Sequence, residues 1–147
     1  KKISKSIVQR CKSGQMNTTL DLRNAVCTVT PQRFQLKTLS RVFQAIRIKV
    51  NDELGVLKDT LEVSQFFLEK GSRIVVISYH SLEDRIVKTF FNEKSLNCVC
   101  PLEIPVCICD TVPVLKKISK GVIKPSEDEI NRNKRARSAR LRISERI

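Results

Sequence analysis

The sequence is poor in several residues on which common enzyme and membrane signatures depend. It has no tryptophan, one histidine and four glycines among 147 residues, and the glycines are isolated at positions 14, 55, 71 and 121. Isolated glycines exclude the glycine-rich turn that cradles a nucleotide cofactor in a doubly wound fold. A single histidine without a Gly-x-Ser-x-Gly motif argues against a serine hydrolase. No apolar run approaches the roughly 18 residues of a membrane span.

Acidic residues are also scarce relative to basic ones. Twenty-eight lysines and arginines oppose 15 acids, which gives a formal net charge of +13. This excess favours a polyanionic partner, with nucleic acid first and an anionic membrane surface second; the alternative is that surface lysines only keep the protein soluble. Residues 131–147 carry seven basic residues and one acid. Because arginine binds phosphates through a planar fork, this clustering favours nucleic acid.

The amino-terminal segment has no secretion signal, and this bears on the cysteines. "KKISKSIVQR" lacks a continuous apolar run, and the first residue is Lys1 rather than Met, so we expect a processed product or a piece of a longer chain. Six cysteines then indicate a reducing compartment, where thiols bind metal or pack as small hydrophobes. Four of them form a C-x-C-x6-C-x-C pattern and are candidate zinc ligands: Cys98, Cys100, Cys107 and Cys109. The alternative is a reduced hairpin, since zinc sites more often use C-x-x-C.

Helical periodicity dominates the first half of the sequence. Residues 1–12 have the spacing of a basic amphipathic helix, and Thr18 or Thr19 is a suitable cap for a second helix. Between residues 40 and 70, apolar residues recur at steps of three and four. This pattern predicts one long helix, or two helices with a bend at Gly55.

The period changes after residue 72. "RIVVISY" (residues 73–79) is continuously apolar and β-branched, which predicts a strand covered on both faces. Ser81 then predicts a helix N-cap, with Asp84 in the position of a capping box. "SARLRISERI" predicts a half-buried strand with its apolar side in and its arginine side out. With another strand at residues 114–118, or extended as far as Ile123, and a short helix from Ser126, the chain resembles the end of an open α/β sheet.

His80 and Ser81 stand where α/β sheets place ligands, between the carboxyl end of a strand and a helix. An imidazole exchanges protons near neutral pH, and a serine at a helix start can bind phosphate. We therefore predict His80 and Ser81 as catalytic residues; the alternatives are contact with a ligand or RNA and a purely structural turn. We predict RNA contacts by arginines in the basic segments: Arg41, Arg47, Arg85, Arg135, Arg137, Arg140 and Arg142.

Three segments together resemble one family. "FQAIRIKVNDEL" (Phe43 to Leu54), "RIVVISYHSLEDRIVKTFF" (Arg73 to Phe91) and "RARSARLRISERI" (Arg135 to Ile147) resemble, in order and spacing, the C-terminal half of the bacterial small-subunit rRNA cytosine-N4 methyltransferases. Mitochondrial relatives share the pattern, and the resemblance covers nearly the whole chain. The positions that match the motifs are Arg47, Asn51, His80, Ser81, Glu83, Asp84, Arg85, Arg137, Ser138 and Arg142.

This resemblance implies a Rossmann-like methyltransferase fold that is interrupted by a helical, RNA-recognising insertion. It assigns residues 1–39 to the end of that insertion and residues 40–147 to the C-terminal part of the Rossmann-like domain, with a cysteine-rich loop at 97–113. The family's donor-binding motifs lie in its N-terminal half. We therefore expect no cofactor-binding residue here, and no activity from this portion alone.

The resemblance also implies the partners. The methyl donor is S-adenosylmethionine, and the substrate is a cytidine of small-subunit rRNA or of the ribosomal subunit. The implied location is the cytoplasm, or alternatively the mitochondrial matrix. A rival from another functional class is a non-catalytic, zinc-stabilised module that binds RNA or the ribosome through the same basic surface.

Overall fold

The protein has a mixed α/β fold, and a computed structural model describes residues 1–101, 106, 108–119 and 121–147. Two compact units are present, Lys1–Glu53 and Leu54–Ile147. The helices are α1 (Lys2–Lys12), α2 (Thr19–Thr28), α3 (Gln35–Val50), α4 (Glu53–Ser64), α5 (Ser81–Glu93) and α6 (Glu127–Arg132). The strands are β1 (Arg73–Ser78), β2 (Leu115–Lys117) and β3 (Arg140–Arg146). The boundary predicted between residues 39 and 40, which would separate a helical insertion from a Rossmann-like domain, stays a prediction.

The first unit is held by a capped helix whose apolar side is buried. Thr18 is the N-cap of α2, as predicted: its hydroxyl accepts a hydrogen bond from the Asp21 N–H, and the Asp21 carboxylate accepts one from the Thr18 N–H at 2.9 Å. Further along the helix, Ala25 and Val26 are fully buried. The Ser6 hydroxyl donates to the Ala25 carbonyl at 2.8 Å and so joins α1 to α2.

The long periodic segment forms two helices, but the predicted bend at Gly55 is wrong. Gly55 lies inside α4, and the chain breaks at Asp52, whose φ of 48° is left-handed. The Glu53 carboxylate accepts two hydrogen bonds from Arg47, at 2.7 and 3.1 Å, and one from Asn51 at 3.3 Å. This carboxylate therefore ties the last turn of α3 to the residue that begins α4, and side-chain contacts rather than a glycine fix the break.

The sheet of the second unit has the strand order β1-β3-β2 and is antiparallel at both pairings. The predicted strands near residues 114–118 and in "SARLRISERI" are confirmed as β2 and β3. Ile123 extends the β2 side of the sheet through an isolated bridge to Leu141. Because β1 and β2 both run opposite to β3, they are parallel to each other on either side of it.

Helix α5 packs on one face of this sheet and supplies half of the buried residues in its apolar cluster. Val87, Phe90 and Phe91 project from α5 and are almost fully buried. They belong to one apolar cluster with residues of α4, β1 and β2, namely Leu61, Ile74 and Leu115. Burial of each such side chain contributes roughly 1.5–3 kcal/mol, so this cluster is the main stabilising contact of the unit.

Two predictions of burial are wrong: that β1 is covered on both faces, and that β3 turns its apolar side in and its arginine side out. Val75 and Ile77 of β1 are each 54% exposed, because only one helical layer packs on the sheet among the described residues. Arg142 of β3 lies opposite Val76 in the register, and Ser144 lies opposite Ile74. Ser144 is fully buried and the Arg142 side chain is only 16% exposed. Arg142 and Ser144 of β3 therefore face in, toward α5, and the sheet face that carries Val75 and Ile77 is the more open one.

We expect Gly71→Ala to destabilise the protein by about 1 kcal/mol, because a Cβ is disfavoured in left-handed backbone. Gly71 has φ of 88° and donates its N–H to the Arg146 carbonyl at 2.8 Å, at the turn that leads into β1. Gly121→Ala is the matched control, since Gly121 lacks a left-handed φ and a Cβ there meets nothing within 4 Å. Urea unfolding checks both variants, and equal midpoints would contradict this role for Gly71.

Candidate functional site at the carboxyl end of β1

The start of α5 is fixed by a reciprocal cap between His80 and Glu83. The His80 Nδ1 atom accepts a hydrogen bond from the Glu83 N–H at 3.3 Å. The Glu83 carboxylate accepts from the Tyr79 N–H at 2.9 Å and from the His80 N–H at 3.2 Å. The predicted cap at Ser81 with Asp84 is therefore wrong by one residue. His80 has extended backbone, and its ring nitrogen takes the role that a serine oxygen usually has.

The His80 ring is held on both sides by the same glutamate. Its Nε2 atom is buried and lies 3.2 Å from Glu83 Oε1, without an aligned hydrogen bond to any described residue. The side chain is only 16% exposed. The geometry therefore suits a group that orients the start of α5, next to the exposed Ser81.

Asp84, the residue after Glu83, is a buried anion between two cations of β3. One of its carboxylate oxygens accepts from Arg142 Nε at 2.7 Å, and the other accepts from Arg142 Nη2 at 3.2 Å and Arg140 Nη1 at 2.9 Å. The hydrogen bond from Arg142 holds the pKa of Asp84 below its usual value of 3.8, against the opposing effect of burial. Asp84 is thus ionised at neutral pH and fixes α5 on the sheet.

A basic cavity opens beside the start of α5. It has a volume of about 350 Å³, within the range of small-ligand pockets. Its lining residues are Tyr79, His80, Ser81, Lys124, Arg137, Ser138, Ala139 and Arg140. The lining contains three cations and no carboxylate, and the positive end of a helix dipole faces the same space. This combination suits an anion such as a phosphate group.

Some of the predicted site residues meet at this cavity and others do not. His80, Ser81, Arg137 and Arg140 line it. Arg142 is engaged with Asp84 behind it. The other predicted arginines lie elsewhere: Arg135 is exposed in the 3-10 helix Lys134–Ser138, Arg85 lines a separate groove with Lys58 and Glu62, and Arg41 and Arg47 are exposed on α3 of the first unit.

Lys124 is a cavity residue that the sequence reasoning missed. It follows Ile123, whose bridge to Leu141 brings this segment beside β3. It precedes α6, whose predicted start is confirmed because the Ser126 hydroxyl accepts from the Glu129 N–H at 3.2 Å. The extension of the predicted strand to Ile123 was the available signal, because pairing there places the next side chain, Lys124, beside the basic segment.

Three of the predicted zinc ligands converge outside this cavity. The Sγ atoms of Cys98, Cys100 and Cys109 all lie within 4.8 Å of one another. Cys107 lies outside the described residues. The three thiols form a candidate metal site in the segment between α5 and β2.

Comparison with known proteins gives one family and many relatives. The model of the MraW methylase family matches residues 1–147. The ribosomal RNA small subunit methyltransferase H of Caldicellulosiruptor saccharolyticus is 49% identical over 148 residues, covering 100% of this chain and 48% of that relative. The enzymes of the same name from Carboxydothermus hydrogenoformans and Fusobacterium nucleatum are 44% and 42% identical, and 47% of each is covered. The chain spans about half the length of the curated relatives it matches.

Within the part of the chain that the structure describes, no helix combines the length and apolar character of a membrane span.

We expect Asp84→Asn to lower the free energy of unfolding by about 3 kcal/mol, because it leaves two arginines of β3 without their buried counter-charge. Asp59→Asn, at an exposed position of α4, is the matched control and should change stability by less than about 0.5 kcal/mol. Urea unfolding followed by circular dichroism measures both. A loss no larger in Asp84→Asn than in the control would refute the structural role of this ion pair.

The same carboxylate predicts an acid-sensitive component of stability. The pKa of Asp84 is lower in the folded protein than its ordinary value of 3.8, so the unfolded chain binds the proton more readily. The stabilisation is complete above about pH 4 and is lost as the pH falls through the lower, folded pKa. Unfolding titrations should show a smaller acid loss in Asp84→Asn than in the original protein. An identical acid profile would contradict this linkage.

Proposed function

The chain belongs to the MraW methylase family, and we propose that it is the C-terminal portion of an S-adenosylmethionine-dependent methyltransferase that modifies the N4 atom of a cytidine in small-subunit rRNA. Support comes from the family match over residues 1–147 and from relatives named as ribosomal RNA small subunit methyltransferases. Since the chain spans about half the length of these relatives, the activity is proposed for the longer protein. This portion supplies the RNA side of the site.

The observation that carries this proposal is the basic cavity beside α5. An RNA strand presents phosphates to a protein, and arginine, lysine and helix N–H groups are their usual partners. Here Lys124 and Arg137 provide cations next to the first turn of α5. A flipped target nucleotide needs its flanking phosphates held in place while the base enters the active site. We assign that holding role to this cavity.

The described residues do not fit the methyl donor. S-adenosylmethionine carries a sulfonium cation, which the positive lining of the cavity would repel. The described glycines with left-handed backbone, Gly14 and Gly71, stand singly in turns and form no cradle for a nucleoside. We therefore propose that the donor is bound by residues upstream, and no step of methyl transfer is assigned to the side chains of this chain.

The cavity residues take distinct proposed roles. Arg137 and Lys124 bind the phosphate directly, and the Ser81 hydroxyl donates a hydrogen bond at the helix start. Arg140 is shared between the cavity and Asp84, so its guanidinium is held in one position while 42% of its side chain stays exposed. His80 is a positioning residue that keeps the start of α5 in place through Glu83. In this proposal His80 and Ser81 assist the orientation of the substrate more than they act as a base.

A Rossmann-like sheet is part of the same proposal. Among the described residues β1 pairs with β3 alone, so one edge of β1 is open. On the uncovered face, Val75 and Ile77 are half exposed. An open edge beside a bare apolar face suits further strands and a second helical layer, as a methyltransferase sheet would provide. The assignment of residues 1–39 to a helical insertion, and the cytoplasmic location, belong to this proposal as well.

A non-catalytic RNA-binding module is the second candidate function. The net charge of +13 and the carboxylate-free cavity favour RNA binding whether or not a methyl group is transferred. The two candidates differ in the longer protein. Transfer of labelled methyl groups to small ribosomal subunits is expected for the enzyme and not for the module.

We expect the 147 residues alone to give no saturable binding of S-adenosylmethionine in isothermal titration calorimetry, because their cations and isolated glycines do not fit the donor. The comparison is the same protein extended upstream to the length of its relatives, which should bind the donor. Tight binding by the short chain would overturn the assignment of the donor site to upstream residues.

We expect Lys124→Ala and Arg137→Ala to weaken binding of small-subunit rRNA and to reduce the slope of log affinity against log salt by about 1 each, because each removes one phosphate contact. Lys88→Ala is the control, since Lys88 is exposed on α5 away from the cavity. Filter binding at several salt concentrations measures the slopes. Equal slopes for all three variants would contradict the role of the cavity.

A further inference from the structure

The segment between α5 and β2 is a long loop that is closed at its base, and its described residues bury no apolar side chain between the two ends. The Lys94 carbonyl accepts hydrogen bonds from the N–H groups of Val114 and Leu115 at 2.8 and 2.9 Å, which brings the two ends together. The described apolar side chains between them are exposed: Val99 by 60%, Ile108 by 75% and Val112 by 77%. A loop of this length without a buried core requires another constraint to hold one conformation.

The thiols within this loop are arranged as metal ligands. The Sγ atoms of Cys98 and Cys109 are 3.6 Å apart, and Cys100 Sγ lies within 4.8 Å of both. Zinc–sulfur bonds of about 2.3 Å in tetrahedral geometry separate the sulfurs by roughly 3.8 Å. A disulfide would need the two sulfurs at about 2.05 Å and would engage only two of the three thiols. A metal ion bound by all three sulfur atoms therefore explains their convergence better than a disulfide does.

Backbone hydrogen bonds orient the sulfur atoms of two of these cysteines. The Cys100 N–H donates to Cys98 Sγ, and the Val99 N–H donates to Cys109 Sγ, both at 3.3 Å. Contacts of this kind hold metal ligands in a fixed orientation. The alternation that would separate the side chains of a C-x-C pair applies to an extended strand. Cys100 lies at a bend, so its side chain turns back toward Cys98.

We propose that Cys98, Cys100 and Cys109 bind one zinc ion that holds this loop in a single conformation. Each thiol releases a proton to solvent when it binds, and no oxidation or reduction takes place. Three thiolates form a soft ligand set, for which zinc is the expected divalent ion in a reducing compartment. Cys107 is the fourth cysteine of the pattern but lies outside the described residues, so the site is argued from three ligands. The proposal is independent of the methyltransferase activity.

Metal analysis of the protein, purified under reducing conditions without chelator, tests this site. We expect one zinc per chain by plasma mass spectrometry. Cobalt added to the metal-free protein should give the visible absorption of a tetrahedral ion and the near-ultraviolet bands of cobalt–thiolate bonds. Cys98→Ser, Cys100→Ser and Cys109→Ser should each lose the metal. Cys11→Ser is the matched control, since Cys11 lies on α1 in the first unit, and should retain it.

A second measurement keeps the test valid if a cysteine variant folds poorly. Hydrogen exchange of the original protein, with and without its metal, should differ in peptides that cover residues 97–113 and not in those that cover α2. Three results would overturn the proposal: purified protein with substoichiometric metal and no cobalt–thiolate spectrum, an intact mass that shows a disulfide between Cys98 and Cys109, or unchanged exchange in the loop after metal removal.

Discussion

The buried carboxylate of Asp84 is the contact on which the second unit depends. It lies between Arg140 and Arg142 of β3, with three hydrogen bonds of 2.7 to 3.2 Å. A buried charge is tolerated only when it is paired, and an arginine that faces the core needs the same compensation. This one group therefore decides which face of β3 turns toward α5. It also sets where the first turn of α5 lies relative to the sheet, and so where the basic cavity opens.

The two arginines that share Asp84 differ in what remains available to a ligand. The Arg142 side chain is 16% exposed, and two of its nitrogen atoms donate hydrogen bonds to the Asp84 carboxylate of α5. The Arg140 side chain is 42% exposed and also lines the cavity. A cation that is already oriented by a carboxylate loses less side-chain entropy when it binds a phosphate. In the proposed function, Arg142 anchors α5, whereas Arg140, two residues earlier on the same strand, also takes part in RNA recognition.

The sequence predicted the elements better than it predicted their environment. Periodicity and the Thr18 cap were sufficient for α2, and the alternation of "SARLRISERI" was sufficient for β3, because these signals are local. The inward arginines could not be read from β3, since their partner Asp84 is more than fifty residues away. Likewise, His80 replaced Ser81 as the cap because a ring nitrogen can accept a hydrogen bond, which residue preferences do not reveal. The family could be predicted because three long motifs kept their order, whereas the meeting of the cysteine thiols depends on a bend at Cys100.

The strand order has a consequence for how the protein forms. β3 is the last described strand in the sequence, yet it is the central one and pairs with both β1 and β2. Residues as far apart as Arg73 and Glu145 are partners in this sheet. During synthesis, β1 and β2 are made before β3. Their apolar side chains therefore lack a pairing strand until β3 follows. Sheets closed by such distant contacts form slowly, and the sheet of this unit is complete only after β3 has been synthesised.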